Sequence, residues 1–587
     1  MKPFGRHAVL VCIRVILLLV FCAGTSFGQD LEAVYQNLKG GGNRHLQVGG
    51  GLNISNTSYY SRGIAARQDA LQWLIGANLN LRFMGITAPF ALYFSDGNRA
   101  FRLPSYTFTG ISPSYKWATL HLGDRNMNFS RYTLSGILFR GIGFELKPGR
   151  WYAGAMYGRL TRATNEDLNA LQRIDPVYRR IGYGVRVGYM GNRSTIGLSW
   201  FGVQDDKGSI PTPQLSTILP TQNGVMSLQG SQRIGRKLNL EAEYARSATN
   251  TNSYATTLTN ADKNAGNTLI GTFKPNESIQ TGNAFRAGAQ YNFKAASVNG
   301  NYERIDQGFR TLGALFFLSD VERITAGFNK AFLNNTLFVS ANGGTERTDL
   351  DGKERNGVKR LIGSLNTSYS PTERLSFNGT YSNFQNTAKL RTVNDASRLV
   401  DSLILAQVTQ SMGVGASYIA GNKKEPGVWS INLTRQQAKS VVNDAVQNDA
   451  NSVFFIASLF YSKSRPEELW SWSAGMSWNK TQLATTNSNM LSPTVGVNRS
   501  FFNKSLETSA RFSYNSIFVK NGADNSALNV GLGGNLHLKH GHSFGLDSSL
   551  INRMGGGNDF LEFYTRLYYA YAFNKDLGKK APVSAPK

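Results

Sequence analysis

The feature that most constrains this chain is a strict alternation of apolar and polar residues, which recurs along nearly all of the sequence after about residue 45. In the segment 71–83, apolar side chains occupy every second position, and only Leu74 interrupts the polar or small residues between them. Successive side chains of a β-strand point to opposite faces, so the segment forms a strand with one apolar and one polar face. It is longer than the about 9–11 residues with which a tilted strand crosses a bilayer.

The segments 181–189, 285–293 and 470–479 repeat this pattern, with polar faces made mainly of Gly, Ser, Asn and single Arg residues. A soluble protein would place its core or most of its charges on the second face. Charged residues make up only 17% of the chain and hydrophobic ones 41%, which argues against a disordered protein. The apolar faces are therefore expected to point outward, towards lipid.

The connections between the predicted strands alternate in length. Short ones lie near 147–150, 191–193, 294–295, 333–335, 370–374, 501–504 and 539–542, and longer polar ones span 162–179, 205–221, 247–281, 385–405 and 480–490. Transmembrane barrels have short periplasmic turns and longer outer loops, which places both termini on the periplasmic side. A strand edge left open in hydrocarbon would have unsatisfied backbone groups, so the sheet must close into a ring.

The sequence thus predicts an all-β fold, a closed antiparallel transmembrane β-barrel of about 26 strands, within a range of about 22 to 28. The pattern is least regular over 86–128, where Pro89, Pro104 and Pro113 interrupt it. No plug domain is expected, because the segment 29–44 ahead of the strands is too short to form one.

The first 28 residues are predicted to be an export signal. They contain the basic residues Lys2, Arg6 and Arg14, a short apolar run and small residues before a cleavage site between Gly28 and Gln29. The expected organisation is a signal peptide (1–28), a short periplasmic segment (29–44), the barrel (45–573) and a basic periplasmic tail (574–587).

Both cysteines, Cys12 and Cys22, lie within the predicted signal, so neither disulfides nor thiolate metal sites are expected in the exported chain. A lipoprotein anchored at Cys22 is the alternative, but Phe21 stands where that motif requires a small residue.

The last predicted strand carries alternating aromatic residues that end in Tyr569, Tyr571 and Phe573. This pattern resembles the terminal assembly signal of Gram-negative outer-membrane barrels, although here a tail follows Phe573. The whole chain resembles a porin-like outer-membrane barrel, and its Ser26–Gln29 junction is similar to sites in Bacteroidota envelope proteins. The resemblance implies an outer-membrane location, contact with outer-membrane lipid and insertion by the barrel-assembly machinery.

The alternation assigns nine charged residues to the lumen. They are Arg82, Glu145, Arg186, Glu241, Glu243, Arg286, Glu507, Arg511 and Arg566. Lys and Arg outnumber Asp and Glu in the chain by 63 to 37, which suggests a preference for anions, whereas the nine predicted lumen charges are nearly balanced. The basic excess lies largely in predicted periplasmic turns, where it would pair with lipid headgroups or form a docking rim for an acidic periplasmic partner.

No catalytic, metal or cofactor site is predicted. The sequence has no G-x-S-x-G motif, and no serine or aspartate constellation is recognisable around His45 or His121. His537, His540 and His542 have spacing that suits zinc or copper, and 349–352 partly matches a calcium loop, but solvated turns explain both. The protein is expected not to be an enzyme and not to bind nucleic acid, since no recognition motif accompanies the charge.

The expected function is a porin-like channel for passive passage of small solutes, narrowed by inward-folded outer loops, above all 247–281. The alternative is a secretion or assembly scaffold whose lumen is occupied by a partner protein. An adhesin has no specific residue to support it.

Overall fold

A computed structural model describes residues 46–95, 108–166, 176–212, 218–258, 273–314, 318–348, 350–351, 359–390, 403–422, 424–442, 445–483, 486–557 and 559–576. The predicted signal peptide, the segment 29–44, Asp349 and Gly352, and most of the predicted tail lie outside these ranges. Within them, no helix is long and apolar enough to span a membrane.

The described chain consists almost entirely of strands. They are β1 (Gln47–Arg62), β2 (Leu71–Phe83), β3 (Ile86–Ser95), β4 (Phe108–Ile111), β5 (Ser114–Tyr115), β6 (Ala118–Asn126), β7 (Leu138–Leu146), β8 (Trp151–Thr161), β9 (Arg180–Met190), β10 (Ser194–Asp205), β11 (Gln222–Ile234), β12 (Leu238–Asn250), β13 (Ile279–Asn292), β14 (Ala296–Ile305), β15 (Val321–Phe332), β16 (Leu337–Thr348), β17 (Lys359–Thr372), β18 (Leu375–Leu390), β19 (Leu403–Gly421), β20 (Pro426–Val442), β21 (Ala445–Arg465), β22 (Trp470–Leu483), β23 (Asn487–Phe501), β24 (Leu506–Val519), β25 (Asn525–His537), β26 (His542–Gly555) and β27 (Phe560–Asp576). Two short 3-10 turns, Leu333–Asn335 and Lys539–Gly541, join strands.

The strands form one closed antiparallel ring. Apart from β4 and β5, each strand pairs with its neighbours in the chain, and β1 pairs with β27 from Gln47 opposite Asp576 to Arg62 opposite Leu561. β4 and β5 both lie between β3 and β6, so they are two pieces of one interrupted strand, and the ring has 26 strand positions. The predicted fold and strand number are therefore confirmed.

The interruption lies within 86–128, where the alternation of apolar and polar residues is least regular. Pro113 has no N–H to give to a neighbouring strand, and the Ser112 N–H donates instead to the Pro89 carbonyl oxygen at 3.0 Å. The Pro113 carbonyl oxygen accepts a hydrogen bond from the Leu120 N–H at 2.9 Å, so the ring remains hydrogen-bonded across the break.

The alternation assigns the two faces correctly. Arg186 on β9 donates to the Asn128 carbonyl oxygen of a loop inside the ring, which identifies its face as the inner one. The alternate residues of β9, such as Tyr183 and Val185, consequently point outward. Large apolar side chains on these outer faces are solvent-exposed in the isolated chain, including Leu71, Trp73, Ile196 and Met476. This outer band is the surface that lipid covers.

Aromatic side chains gather on the outer face near the ends of the strands that are joined by short turns. Trp429 packs on Tyr461 with ring centroids 4.5 Å apart, and Tyr461 packs on Trp472 at 5.4 Å. Such girdles mark the membrane–water interface of transmembrane barrels. By the same rule of short periplasmic turns, this is the periplasmic end.

One predicted loop proves to be mostly strand. The segment 480–490 was expected to form a long outer connection, but β22 ends at Leu483 and β23 begins at Asn487. Lys480 pairs with Asn489 across the two strands. Strands that continue beyond the bilayer have water on their outer face, so neither face needs to be apolar, and polar composition alone does not distinguish them from loops.

Candidate functional site

Two connections at the outer end fold into the ring and line its lumen. Inner loop A comprises residues 127–137, between β6 and β7, and inner loop B comprises residues 306–320, between β14 and β15, of which 315–317 lie outside the described ranges. The loops touch each other, since the Ser135 N–H donates to the Gly313 carbonyl oxygen at 2.8 Å. Together they form a single layer against the inner wall of β7–β15.

Inner loop A is held by an apolar cluster that lies inside the barrel. It consists of Met127, Phe129, Leu134, Phe139, Met156, Phe201 and Val203. Phe129 and Phe201 are 3% and 0% exposed, and their rings meet edge-to-face at 6.5 Å. Burial of a side chain of this size contributes about 1.5–3 kcal/mol, so this loop is anchored as firmly as a protein core.

A second cluster joins inner loop B to the tip of inner loop A. It consists of Tyr132, Val225, Ala245, Ala284, Ile305, Phe309 and Val321. Tyr132 and Phe309 come from the two loops, and their rings meet at 5.8 Å and 71°. The remaining members belong to β11–β15, which links the paired loops to the wall.

Small residues on the wall make room for the aromatic side chains. A methyl group at Gly184 on β9 would lie 2.7 Å from Phe201 Cδ2 and 3.0 Å from Phe129 Cε2. A larger residue there would push both rings away. The glycines that the sequence places on inner faces thus serve packing as well as the polarity of the lumen.

A buried polar network fixes the tip of inner loop A. The Tyr132 hydroxyl donates to Glu303 Oε1 at 2.9 Å, and Arg131 and Arg323 lie 3.0 and 3.3 Å from oxygens of the same carboxylate. Arg323 also pairs with Glu346. Burial, and then the negative charge of Glu303, raise the pKa of Tyr132, so this residue remains a neutral donor.

The backbone of both loops is hydrogen-bonded to the wall as well. Arg186 and Gln229 donate to the carbonyl oxygens of Asn128 and Phe129 at 2.6 and 3.2 Å. Asn223, which is 0% exposed, donates to the Arg310 carbonyl oxygen at 2.9 Å and accepts from the Leu312 N–H at 3.1 Å. Buried backbone groups that would otherwise cost free energy are satisfied in this way.

Most of the predicted lumen charges have partners in the structure. Glu145 pairs with Arg186, Glu241 pairs with Arg286, and Arg566 lies 2.9 Å from Asp547. Glu243 accepts a hydrogen bond from Ser227 at 2.7 Å. Arg82 lines a cavity beside Asn78 and Asn80, and Glu507 and Arg511 are exposed on β24. Pairing leaves little net charge among these residues, and their role in solute passage stays a prediction.

The wall opposite the inner loops presents amides and hydroxyls. A methyl group at Gly415 on β19 would lie 2.5 Å from Asn378 Oδ1 and 2.7 Å from Asn432 Oδ1, so amides of both adjacent strands flank the glycine. Gly413 on the same strand lies beside the hydroxyl of Thr380. These rows offer hydrogen-bond donors and acceptors without charge.

The structure brings a serine to His121, which the sequence did not predict. Ser112 Oγ lies 2.9 Å from His121 Nδ1, and His121 Nε2 lies 3.9 Å from Glu145 Oε2, too far for a hydrogen bond. Ser112 is 9% exposed and its N–H is held by Pro89, so this amide does not provide an oxyanion hole. The three residues connect β6 and β7 with the break between β4 and β5.

The histidines around the last short turn contact different partners and do not form one cluster. His537 Nδ1 lies 3.1 Å from Ser543 Oγ, whereas His542 Nδ1 lies 2.8 Å from the Tyr569 hydroxyl, and the His542 ring stacks on Tyr571. Over the described residues, no group of three or more His, Cys, Asp or Glu side chains is placed to bind a metal ion.

The loop expected to narrow the lumen, 247–281, packs elsewhere in its described parts. The Ser253 N–H donates to the Pro220 carbonyl oxygen at 2.8 Å, and Thr257 bridges to Asn276, so these residues pack on the neighbouring loop 206–221 and on each other. Residues 259–272 lie outside the described ranges. A signal for inner loop A was present in the sequence: five large apolar residues occur within a connection, where water would disfavour them.

Comparisons with known proteins give matches to structures alone. No protein-family model and no curated protein matches the chain. The translocation pore of the P pilus usher PapC is 12% identical, with a TM-score of 0.36, over 90% of this chain and 99% of the other. A mutant ferric enterobactin receptor of Pseudomonas aeruginosa is 10% identical, with a TM-score of 0.39, over 89% and 81%. OccAB3 of Acinetobacter baumannii is 9% identical, with a TM-score of 0.29, over 65% and 98%.

The geometry of the barrel itself shows which class of protein it is. Its ring is closed, its outer band is apolar, and its inner face is polar except where the two apolar clusters hold the inner loops. Strands cross bacterial outer membranes in this form, because closure satisfies every backbone group in hydrocarbon. This chain is an outer-membrane β-barrel.

Proposed function

We propose that the protein is a porin-like channel for passive passage of small, polar, largely uncharged solutes, and that inner loops A and B narrow its lumen. Lipid of a Gram-negative outer membrane, of Bacteroidota type, would surround it, and the barrel-assembly machinery would insert it. No catalytic step is part of this proposal.

The observation that carries the proposal is the pair of apolar clusters inside the ring. A ring of 26 strands, about 4.8 Å apart and tilted by about 40°, has a circumference of roughly 160 Å. Such a ring would be very wide if empty. The clusters fix the two loops across the lumen side of β7–β15, while amides and hydroxyls line the opposite wall, which suits solutes that form hydrogen bonds.

Planar-bilayer recording of the refolded protein tests this proposal. The variant replaces residues 128–136 with a Gly-Ser linker of equal length, which removes both aromatic anchors of inner loop A. We expect a larger single-channel conductance than in the natural protein. A matched control replaces residues 520–524, a short connection at the rim, and leaves conductance unchanged. A natural barrel that does not conduct, or a variant with the same conductance, would contradict the proposal.

A secretion or assembly scaffold is the second candidate. It is favoured by the width of the ring together with the coverage of the wall, because the described residues fold over β7–β15 and leave the wall of β18–β25 uncovered. Purification in mild detergent separates the two functions. A protein that co-purifies in stoichiometric amount and blocks conductance would support the scaffold, whereas a lone conducting barrel would support the channel.

A further inference from the structure

A polar cavity of about 410 Å³ lies at the periplasmic end of the barrel, where two turns and the end of β13 meet. It is lined by Asn192, Arg193, Arg233, Gly235, Arg236, Asn239 and Asn292. We call these residues the mouth pocket. Its volume is within the range of small-ligand sites, about 300–1,000 Å³.

The mouth pocket gathers positive charge without a compensating carboxylate. Three guanidinium groups and three carboxamides line it, and no Asp or Glu does. Across the described part of the chain, none of the ion pairs involves Arg193, Arg233 or Arg236. Elsewhere on the inner wall Arg186, Arg286 and Arg323 each pair with glutamate. Like charges repel one another, so three neighbouring arginines are favoured when an anion binds between them.

The pocket opens on the lumen side of the wall. Arg233 lies directly opposite Asn239 on β12, and its Nε donates to Asn239 Oδ1 at 3.4 Å. Arg233 lies on the same face of β11 as Val225 and Ser227, which are buried on the inner side of the ring. Asn292 lies on the same, inward face of β13 as Arg286. Lipid headgroups surround the outer face of a barrel, so a soluble anion reaches this pocket more readily than a headgroup does.

We propose that the mouth pocket is a binding site for small soluble oxyanions that carry a phosphate or carboxylate group. A guanidinium group matches such anions because its parallel N–H donors meet two oxygens at once. The carboxamides of Asn192, Asn239 and Asn292 supply further donors around the anion. The site stands on this geometry whether or not the barrel conducts.

Isothermal titration calorimetry with the full-length barrel in non-ionic detergent tests the site, with inorganic phosphate and pyrophosphate as probes. The variant Arg193→Gln/Arg233→Gln/Arg236→Gln removes the charge and keeps polar side chains. The control, Arg374→Gln/Lys504→Gln/Lys539→Gln, removes the same charge from other turns of this end. We expect saturable pyrophosphate binding that the pocket variant weakens at least tenfold and the control changes less than twofold.

Equal affinity in the two variants, or no binding to the natural barrel, would overturn the proposal. A second arm embeds the barrel in nanodiscs with or without phosphatidylglycerol. If the pocket substitutions change only the retention of this lipid and not the binding of pyrophosphate, the mouth pocket binds the lipid headgroup. The proposal that it binds a soluble anion is then rejected. A faster-migrating unboiled gel band confirms that each variant is folded. A barrel that conducts without pyrophosphate binding would refute this site while leaving the channel intact.

Discussion

At the residue scale, the chemistry of the lumen depends on how each charge is neutralised. Glu303 is only 10% exposed in its side chain, and it is acceptable there because Arg131, Arg323 and the Tyr132 hydroxyl all face it. A buried carboxylate without such partners would be strongly destabilising. This network ties the tip of inner loop A to β14 and β15.

Tyr132 provides a pH test of that attachment. Because burial and Glu303 raise its pKa above the ordinary value of 10.0, the stability that it contributes is fully present below pH 10 and declines as the pH rises beyond 10. We expect conductance to increase above pH 10 as inner loop A loosens. Tyr132→Phe should lose about 1–3 kcal/mol of loop stability at neutral pH and show a smaller alkaline increase. An identical alkaline response in Tyr132→Phe would show that other groups control the loop.

At the element scale, the seam between β1 and β27 decides whether the ring is complete. Tyr571 pairs with Leu52 and Phe573 with Gly50, and the Tyr571 and Phe573 rings stack at 5.3 Å on the outer face. Their position at the interface girdle is consistent with the predicted assembly signal formed by Tyr569, Tyr571 and Phe573. Recognition by the assembly machinery stays a prediction.

Substitution within β27 tests the signal. Phe573→Ala should lower the amount of folded barrel in the outer membrane several-fold, since it removes the last aromatic residue of the pattern. Phe563→Ala, on the same face at the other end of the strand, is the matched control and should have little effect. The yield of heat-modifiable protein in membrane fractions measures both, and equal yields would contradict a role for Phe573.

At the scale of the whole molecule, the outer apolar band and the closed hydrogen-bonded ring predict a barrel that resists detergent. Unboiled protein in dodecyl sulfate should migrate faster than boiled protein, because the ring stays compact until heated. A chain ended after residue 559 lacks β27, so one edge of β26 and one edge of β1 have no partner strand and the ring stays open. Its boiled and unboiled samples should therefore migrate alike. Identical migration of the natural protein before and after boiling would refute the barrel.

Sequence predicted the fold well because alternation is a local property. The face assignments over 181–189 and 470–479 need only neighbouring residues, and each matches the structure. Inner loop A depends instead on distant partners: Phe129 packs where Gly184 leaves space and beside Phe201. The Ser112–His121 contact likewise depends on how the chain folds at the break between β4 and β5, which Pro113 marks locally but whose geometry no local pattern shows. The mouth pocket arises from turns that become neighbours only when adjacent hairpins pair.

The pairing of the first strand with the last has a consequence for biogenesis. Since β1 and β27 complete each other along 16 residue pairs, the cylinder cannot be sealed until β27, the last strand of the ring, is in place. Until then, two long edges remain available to any other strand, including those of sister chains. Sealing of the ring must therefore follow the synthesis of β27.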